Sequence, residues 1–160
     1  MHLARHSITP ATRTDIIDAQ FDADNRIFTA STPSGFAVYR TWPLALLRKR
    51  ELPNGTLAKI VPMHSSSLLF LVGGGRSPLY PPNKIVVWDD KQGKAVAELE
   101  YNERVAGLAC RRGWLVVALK KRVLIYQITK DKIERWGAEW KTCLNERGAF
   151  MISVSRSRAC

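Results

Sequence analysis

Apolar residues along the chain come in short runs broken by turn residues. Within each run β-branched and aromatic side chains predominate, which is the pattern of strands. Ile16–Phe21, Arg26–Ser31 and Phe36–Arg40 predict three strands, joined by Asp22-Ala23-Asp24-Asn25 and Thr32-Pro33-Ser34-Gly35. A second group is predicted at Thr56–Met63, Ser67–Val72, Lys84–Asp89 and Ala95–Tyr101, and a third at Val105–Cys110, Trp114–Leu119 and Val123–Ile128. Pro43–Leu52 fits either one amphipathic turn of helix or a further strand, and the strand is the better fit.

The groups repeat. Each brings an apolar strand, a turn, and a strand ending on an aromatic residue: Phe36-Ala-Val-Tyr39, Ile85-Val-Val-Trp88 and Val123-Leu-Ile-Tyr126. The aromatic positions are 49 and then 38 residues apart, on the scale of the roughly 40–45-residue blade of a β-propeller. Near-continuous apolar strands suit sheets buried on both faces between stacked blades. The fold expectation is therefore all-β, a WD-repeat-like β-propeller, with Pro43–Leu52 the outer strand of the first blade. Closed propellers have about four blades or more, whereas residues 15–148 hold about three and the start of a fourth. Residues 1–14 read as a disordered leader, and 149–160 as an atypical basic tail. The expectation is a piece of a larger propeller, or a reading frame that ends in translated non-coding sequence.

Composition adds one constraint. The 160 residues carry 25 Lys+Arg against 14 Asp+Glu, a net charge of +11, which favours polyanions, anionic lipid or acidic protein as partners. Apolar residues at 46% exclude disorder over the whole chain, and no apolar run approaches the ~18 residues of a membrane span. Cys110, Cys143 and Cys160 are odd in number and widely spaced, and His2, His6 and His64 are scattered. Neither a disulfide framework nor a metal site follows, and the reading is reduced thiols in the cytosol.

The chemistry-bearing motifs resolve mostly into turns. Gly73-Gly74-Gly75-Arg76-Ser77 follows a strand, yet it lacks the Gly-Lys-Ser/Thr of a phosphate loop, and the proline-rich Ser77–Asn83 follows instead of a helix. It reads as a strand end approached closely by other backbone. Trp88-Asp89-Asp90 matches the Trp-Asp signature of a blade's third strand, with the acid holding a turn and Gly93 at a site tolerant of positive φ. Cys110-Arg111-Arg112-Gly113, Lys120-Lys121-Arg122 and Arg48-Lys49-Arg50 are basic, the first two in hairpin turns, without interleaved exposed aromatics, so nucleic acid is not expected. Asp22 and Asp24 sit in a turn as turn-stabilising acids. No catalytic constellation is present, so no enzyme and no cofactor are expected.

Three stretches together resemble the PROPPINs, the β-propellers that bind phosphoinositides in autophagy. They are Phe21-Asp-Ala-Asp-Asn-Arg-Ile-Phe28 with Gly35-Phe-Ala-Val-Tyr39; Leu69–Pro78 with Pro82–Asp90; and Arg104–Gln127. The glycine triplet before Ser77-Pro78 and the Trp88-Asp89-Asp90 ending look most like the fungal Hsv-type subgroup. Asn145–Gly148 looks like the linker into a fourth blade. The resemblance implies seven blades and docking on phosphatidylinositol 3-phosphate or 3,5-bisphosphate membranes by the full-length protein. It also implies an adaptor role toward the autophagic lipid-transfer protein, at pre-autophagosomal, endosomal or vacuolar membranes. The family's lipid motif, Phe or Leu before Arg-Arg-Gly on a later blade, is absent: Cys110 precedes Arg111-Arg112-Gly113, so these arginines receive no lipid role. Asp22 and Asp24 match the family's Asn-x-Asp partner contact with Asp in place of Asn. Ser77, Pro78, Pro82 and Asn83 form the second partner-contact candidate. The competing expectation is a basic module for RNA or protein without lipid specificity.

Overall fold

The computed structural model describes residues 15–22, 24–63, 66–129 and 132–155. The leader expected over 1–14 and the last residues of the expected tail, 156–160, lie outside the described residues. All regular structure described is strand, in three antiparallel sheets.

The first sheet orders β1 (Asp18–Phe21), β2 (Ile27–Thr32), β3 (Gly35–Arg40) and β4 (Ala45–Glu51). The segment Pro43–Leu52 thus holds the outer strand of blade one, Ala45–Glu51, and not a helical turn. The second sheet orders β5 (Leu57–Pro62), β6 (Leu68–Gly73), β7 (Lys84–Asp89) and β8 (Lys94–Glu100). The third contains β9 (Gly107–Arg111), β10 (Trp114–Ala118), β11 (Arg122–Ile128) and an outer strand in two pieces, β12 (Ile133–Arg135) and β13 (Trp140–Lys141), both paired with β11. Those two pieces had no counterpart in the sequence reading. They are short, mostly exposed and charged, so neither alternation nor an apolar run marks them.

The repeat holds at the level of register. Tyr39, Trp88 and Tyr126 each take the fifth place of their blade's third strand. The first two directly follow equivalent irregularities, at Val38/Tyr39 and Val87/Trp88. One cross-strand row through this position reads Phe21–Phe28–Tyr39–Leu46 in blade one, Pro62–Leu69–Trp88–Ala95 in blade two and Cys110–Leu115–Tyr126–Arg135 in blade three. The neighbouring rows point to the other face, because side chains alternate along a strand.

That alternation builds the cores. Leu69, Leu71 and Val86 of blade two pack with Phe36 and Val38 of blade one, with Trp88 against the cluster. From its other face, Phe70, Val72, Ile85 and Val87 pack with Leu108, Cys110, Leu115, Val117 and Tyr126 of blade three. Phe36 and Phe70 are essentially inaccessible, and each buried aromatic or aliphatic side chain of this size contributes about 1.5–3 kcal/mol. Two hydrogen bonds from hydroxyls finish the seams. Thr29 donates across to the Ile60 carbonyl at 2.6 Å, and the Tyr101 and Tyr126 hydroxyls pair at 3.2 Å.

Candidate interaction surface

The first candidate contact lies in the β1–β2 turn. Asp22 is buried, and its Oδ1 accepts the Arg26 and Ile27 amides at 2.8 and 3.2 Å. Its carbonyl accepts the Asn25 amide at 3.1 Å, and Asn25 takes a positive φ of 56°. Asp22 is therefore the acid around which the turn is tied, as its turn position leads one to expect. Asp24 is exposed at the tip.

This turn opens onto a cleft of about 620 Å³ between blades one and two, which it shares with Arg26, Arg48, Ser66, Ser67, Asp90 and Lys91. On its wall is an ion triplet that crosses the blades. Arg48 Nη1 and Arg50 Nε each reach the Asp90 carboxylate at 2.7 Å, and Arg50 Nη2 donates to the Asp90 carbonyl at 3.1 Å. Burial pushes the Asp90 carboxyl upward, but the two guanidiniums outweigh it and hold it below the usual carboxylate value. Asp89 does the turn work expected of the Trp-Asp signature. Its carboxylate accepts the Lys91 amide at 2.9 Å and the Gln92 side-chain amide at 2.8 Å, and Gly93 takes φ 67°.

The second candidate contact, Ser77–Asn83, sits at the opposite end of the sheets, in the β6–β7 loop. The Ser77 carbonyl accepts the Thr56 amide at 2.8 Å, and Thr56 and Pro78 form an isolated parallel bridge. The Pro82 carbonyl accepts the Val105 amide at 2.9 Å, and Asn83 exchanges two bonds with Tyr101. Ser77, Pro78 and Pro82 remain exposed, while Asn83 is half-buried. The glycine triplet makes this belt possible: a Cβ on Gly73 would stand 1.7 Å from the Tyr80 carbonyl oxygen, and one on Gly74 2.4 Å from the Ala58 Cβ. The structure thus keeps the two candidate groups, Asp22/Asp24 and Ser77–Asn83, apart.

The basic segments do not form one rim. Arg48 and Arg50 serve Asp90. The Arg111–Gly113 turn and the Lys120–Arg122 turn lie at opposite ends of the β9–β10–β11 meander. Arg111 and Arg112 donate to the Ile152 and Val154 carbonyls at 3.3 and 3.4 Å, and Arg122 pairs with Glu103 and Glu139. Among the described residues, no group of His, Cys, Asp and Glu is placed to hold a metal ion.

Two features escaped the sequence reading. A groove of about 490 Å³ between blades two and three has an apolar floor of Val87, Ala97, Leu99 and Ile133, with Asp89, Gln92 and Lys132 beside it. On the far face of blade three, Trp136 meets Trp114 edge-on and stacks on Trp140, each at 5.6 Å between ring centres. Trp136 and Trp140 lie where no strand was expected, so nothing in the sequence grouped them with Trp114.

Four-stranded antiparallel sheets stacked face to face, in register from blade to blade, define a β-propeller, here three blades of one. No family model matches the chain. SVP1-like protein 2 of Pichia angusta is 36% identical over 142 residues, covering 88% of this chain and 39% of that protein. Autophagy-related protein 18e of Arabidopsis thaliana is 31% identical over 134 residues, covering 82% and 35%. The solved Kluyveromyces lactis Hsv2 superposes with a TM-score of 0.67 at 21% identity, covering 80% of this chain and 37% of that one. In a complex described as KlAtg21 with the coiled-coil of AgAtg16, the matched chain superposes at 0.60 and 19% identity, covering 75% and 38%. The chain belongs to the PROPPIN family, and it spans about a quarter to two fifths of the length of the curated relatives it matches.

Proposed function

We propose that this chain supplies the protein-binding part of an autophagy adaptor and phosphoinositide effector, with no catalytic role. The observation that carries the reading is its kinship, over most of its length, with SVP1-like protein 2 and an autophagy-related protein 18. The lipid function belongs to a longer product. Here Arg111 and Arg112 follow Cys110 and already bond the carbonyls of Ile152 and Val154, so the phosphatidylinositol 3-phosphate or 3,5-bisphosphate pockets lie on other blades. The partner is the autophagic lipid-transfer protein. The contacts are the accessible Asp24 with Asp22 behind it, and the exposed Ser77, Pro78 and Pro82 with Asn83. The coiled-coil bound in the related complex supports a protein partner for this architecture. The site of action is the cytoplasmic side of pre-autophagosomal, endosomal or vacuolar membranes.

Two assays test this together. Immobilised chain should capture the lipid-transfer protein, and Asp24→Arg should weaken capture without moving the melting temperature. Vesicles carrying phosphatidylinositol 3-phosphate should float without the chain. Failure of a folded chain to capture that protein overturns the adaptor reading. Headgroup-dependent flotation of the chain overturns the assignment of the lipid pockets to other blades.

A further inference from the structure

Five asparagines occur in the chain, and only Asn54 is followed by glycine. The pair lies in the connection from β4 to β5, which leads from blade one into blade two. Asn54 is exposed. The Gly55 N–H meets no acceptor in good geometry, and glycine carries no Cβ to shield it. Thr56, one residue on, holds the β6–β7 loop. Its amide donates to the Ser77 carbonyl at 2.8 Å, its carbonyl accepts the Leu79 amide at 2.9 Å, and its hydroxyl donates to the Gly74 carbonyl. Gly55 itself lies against the same loop: a Cβ on it would stand 2.6 Å from the Leu79 backbone and 2.9 Å from the Ser77 carbonyl oxygen. An accessible Asn-Gly pair is thus joined directly to the seat of Ser77–Leu79.

We propose that Asn54-Gly55 is a site of spontaneous deamidation, and that its conversion unseats the β6–β7 loop. The Gly55 nitrogen attacks the Asn54 side-chain carbonyl carbon. A carbon–nitrogen bond forms, the bond to the side-chain NH2 breaks, and ammonia leaves with the proton that Gly55 gives up. Water then opens the succinimide. Addition at the side-chain carbonyl yields aspartate. Addition at the main-chain carbonyl yields isoaspartate, whose main chain runs through the former side chain. The net change is amide plus water to carboxylate plus ammonium, with nothing oxidised or reduced. Isoaspartate adds one carbon to the main chain, about 1.5 Å of bond. The connection has no slack to absorb it. On one side the Leu52 amide donates to the Ser34 carbonyl at 2.8 Å, and on the other Leu57 is wholly buried. Gly55 and Thr56 must therefore shift, and the bonds to Gly74, Ser77 and Leu79 go with them. Arg76, exposed in that loop, becomes open to proteolysis. Loss of partner capture would follow only if the proposed contact at Ser77 and Pro78 holds, so the loop itself is the readout.

Incubation of the folded 160-residue chain in mildly alkaline buffer, followed by peptide mass mapping, tests this. Asn54 should convert severalfold faster than Asn25, Asn83, Asn102 and Asn145. The rate should rise with pH, because the attacking nitrogen must lose its proton. Isoaspartate should be the larger product, read by methyl transfer from S-adenosylmethionine with an isoaspartate methyltransferase. Trypsin should cut after Arg76 severalfold faster in the converted chain than in the fresh one. Asn54→Gln, whose longer side chain cyclises far more slowly, should remove both effects and leave the circular dichroism unchanged. Conversion of Asn54 no faster than that of the other asparagines overturns the proposal. So does an Arg76 cut as fast before conversion as after, or an incubated Asn54→Gln chain that loosens like its parent.

Discussion

Asp90→Asn is the substitution that probes the blade-one to blade-two seam most directly. The amide has the shape of the carboxylate but not its charge. Its oxygen still accepts from one arginine, while its NH2 faces the donor of the other. One charge-assisted hydrogen bond, worth about 1.5–3 kcal/mol, is lost and replaced by two opposed donors. The guanidiniums left behind are 50% and 45% exposed and recover hydration, which caps the cost at about 2–3 kcal/mol. With a urea slope of ~2 kcal/mol/M for a chain of this size, the midpoint falls by about 1 M. The reverse perturbation is costlier. Arg48→Met with Arg50→Met strands a carboxylate that is 1% exposed, and removing the partners of a buried charge costs about 3–5 kcal/mol. The pH dependence has a fixed sign. The Asp90 carboxyl is held below its unfolded value, ~3.9 for aspartate. Its contribution is present above that value and is lost as pH falls through the folded one. The wild-type chain should therefore lose stability on acidification more steeply than Asp90→Asn. A change under about 0.5 kcal/mol, or the arginine pair proving cheaper than the aspartate, refutes the reasoning.

Gly73→Ala should prevent the β6–β7 loop from closing, because the added Cβ meets the Tyr80 carbonyl at 1.7 Å. The expected loss is about 3 kcal/mol or more, read as a fall in melting temperature of roughly 6–12 °C. Tyr126→Phe leaves the buried Tyr101 hydroxyl without its partner and should cost about 1–2 kcal/mol in urea titration. Burial, reinforced by the bond to Tyr126, raises the Tyr101 phenol far above its ordinary value. The folded chain should thus lose stability as pH climbs past the unfolded tyrosine value of ~10, which an alkaline series of melts will show.

What the sequence disclosed was whatever repeats locally. The apolar strands, the aromatic fifth position and the close backbone approach at Gly73 are each written within a few neighbouring residues, and the outer strand of blade one emerges once the blade length is known. Arg48 and Arg50 read as surface charge because their partner, Asp90, lies at least 40 residues away, and no local pattern links them. The split outer strand of blade three escaped because β12 and β13 are short and offer the core a single half-buried apolar side chain, Ile133, too little to make a pattern. The tryptophan cluster went with it. Asp22 was legible as a turn acid. That Asp24 and the proline loop stand at opposite ends of the sheets follows only from the order in which the strands pair.

Blade two holds both seams, and it is fastened at both ends of its strands. At one end Asp90 grips blade one; at the other, Pro82 and Asn83 grip the connection into blade three. The middle blade is thus the keystone of an arch, with the outer two as its flanks. Opening either flank breaks one seam, and opening the keystone breaks both. Amide exchange should accordingly be slowest in β6 and β7, and a lesion in blade two should release all three blades at once, whereas damage to a flank stays local.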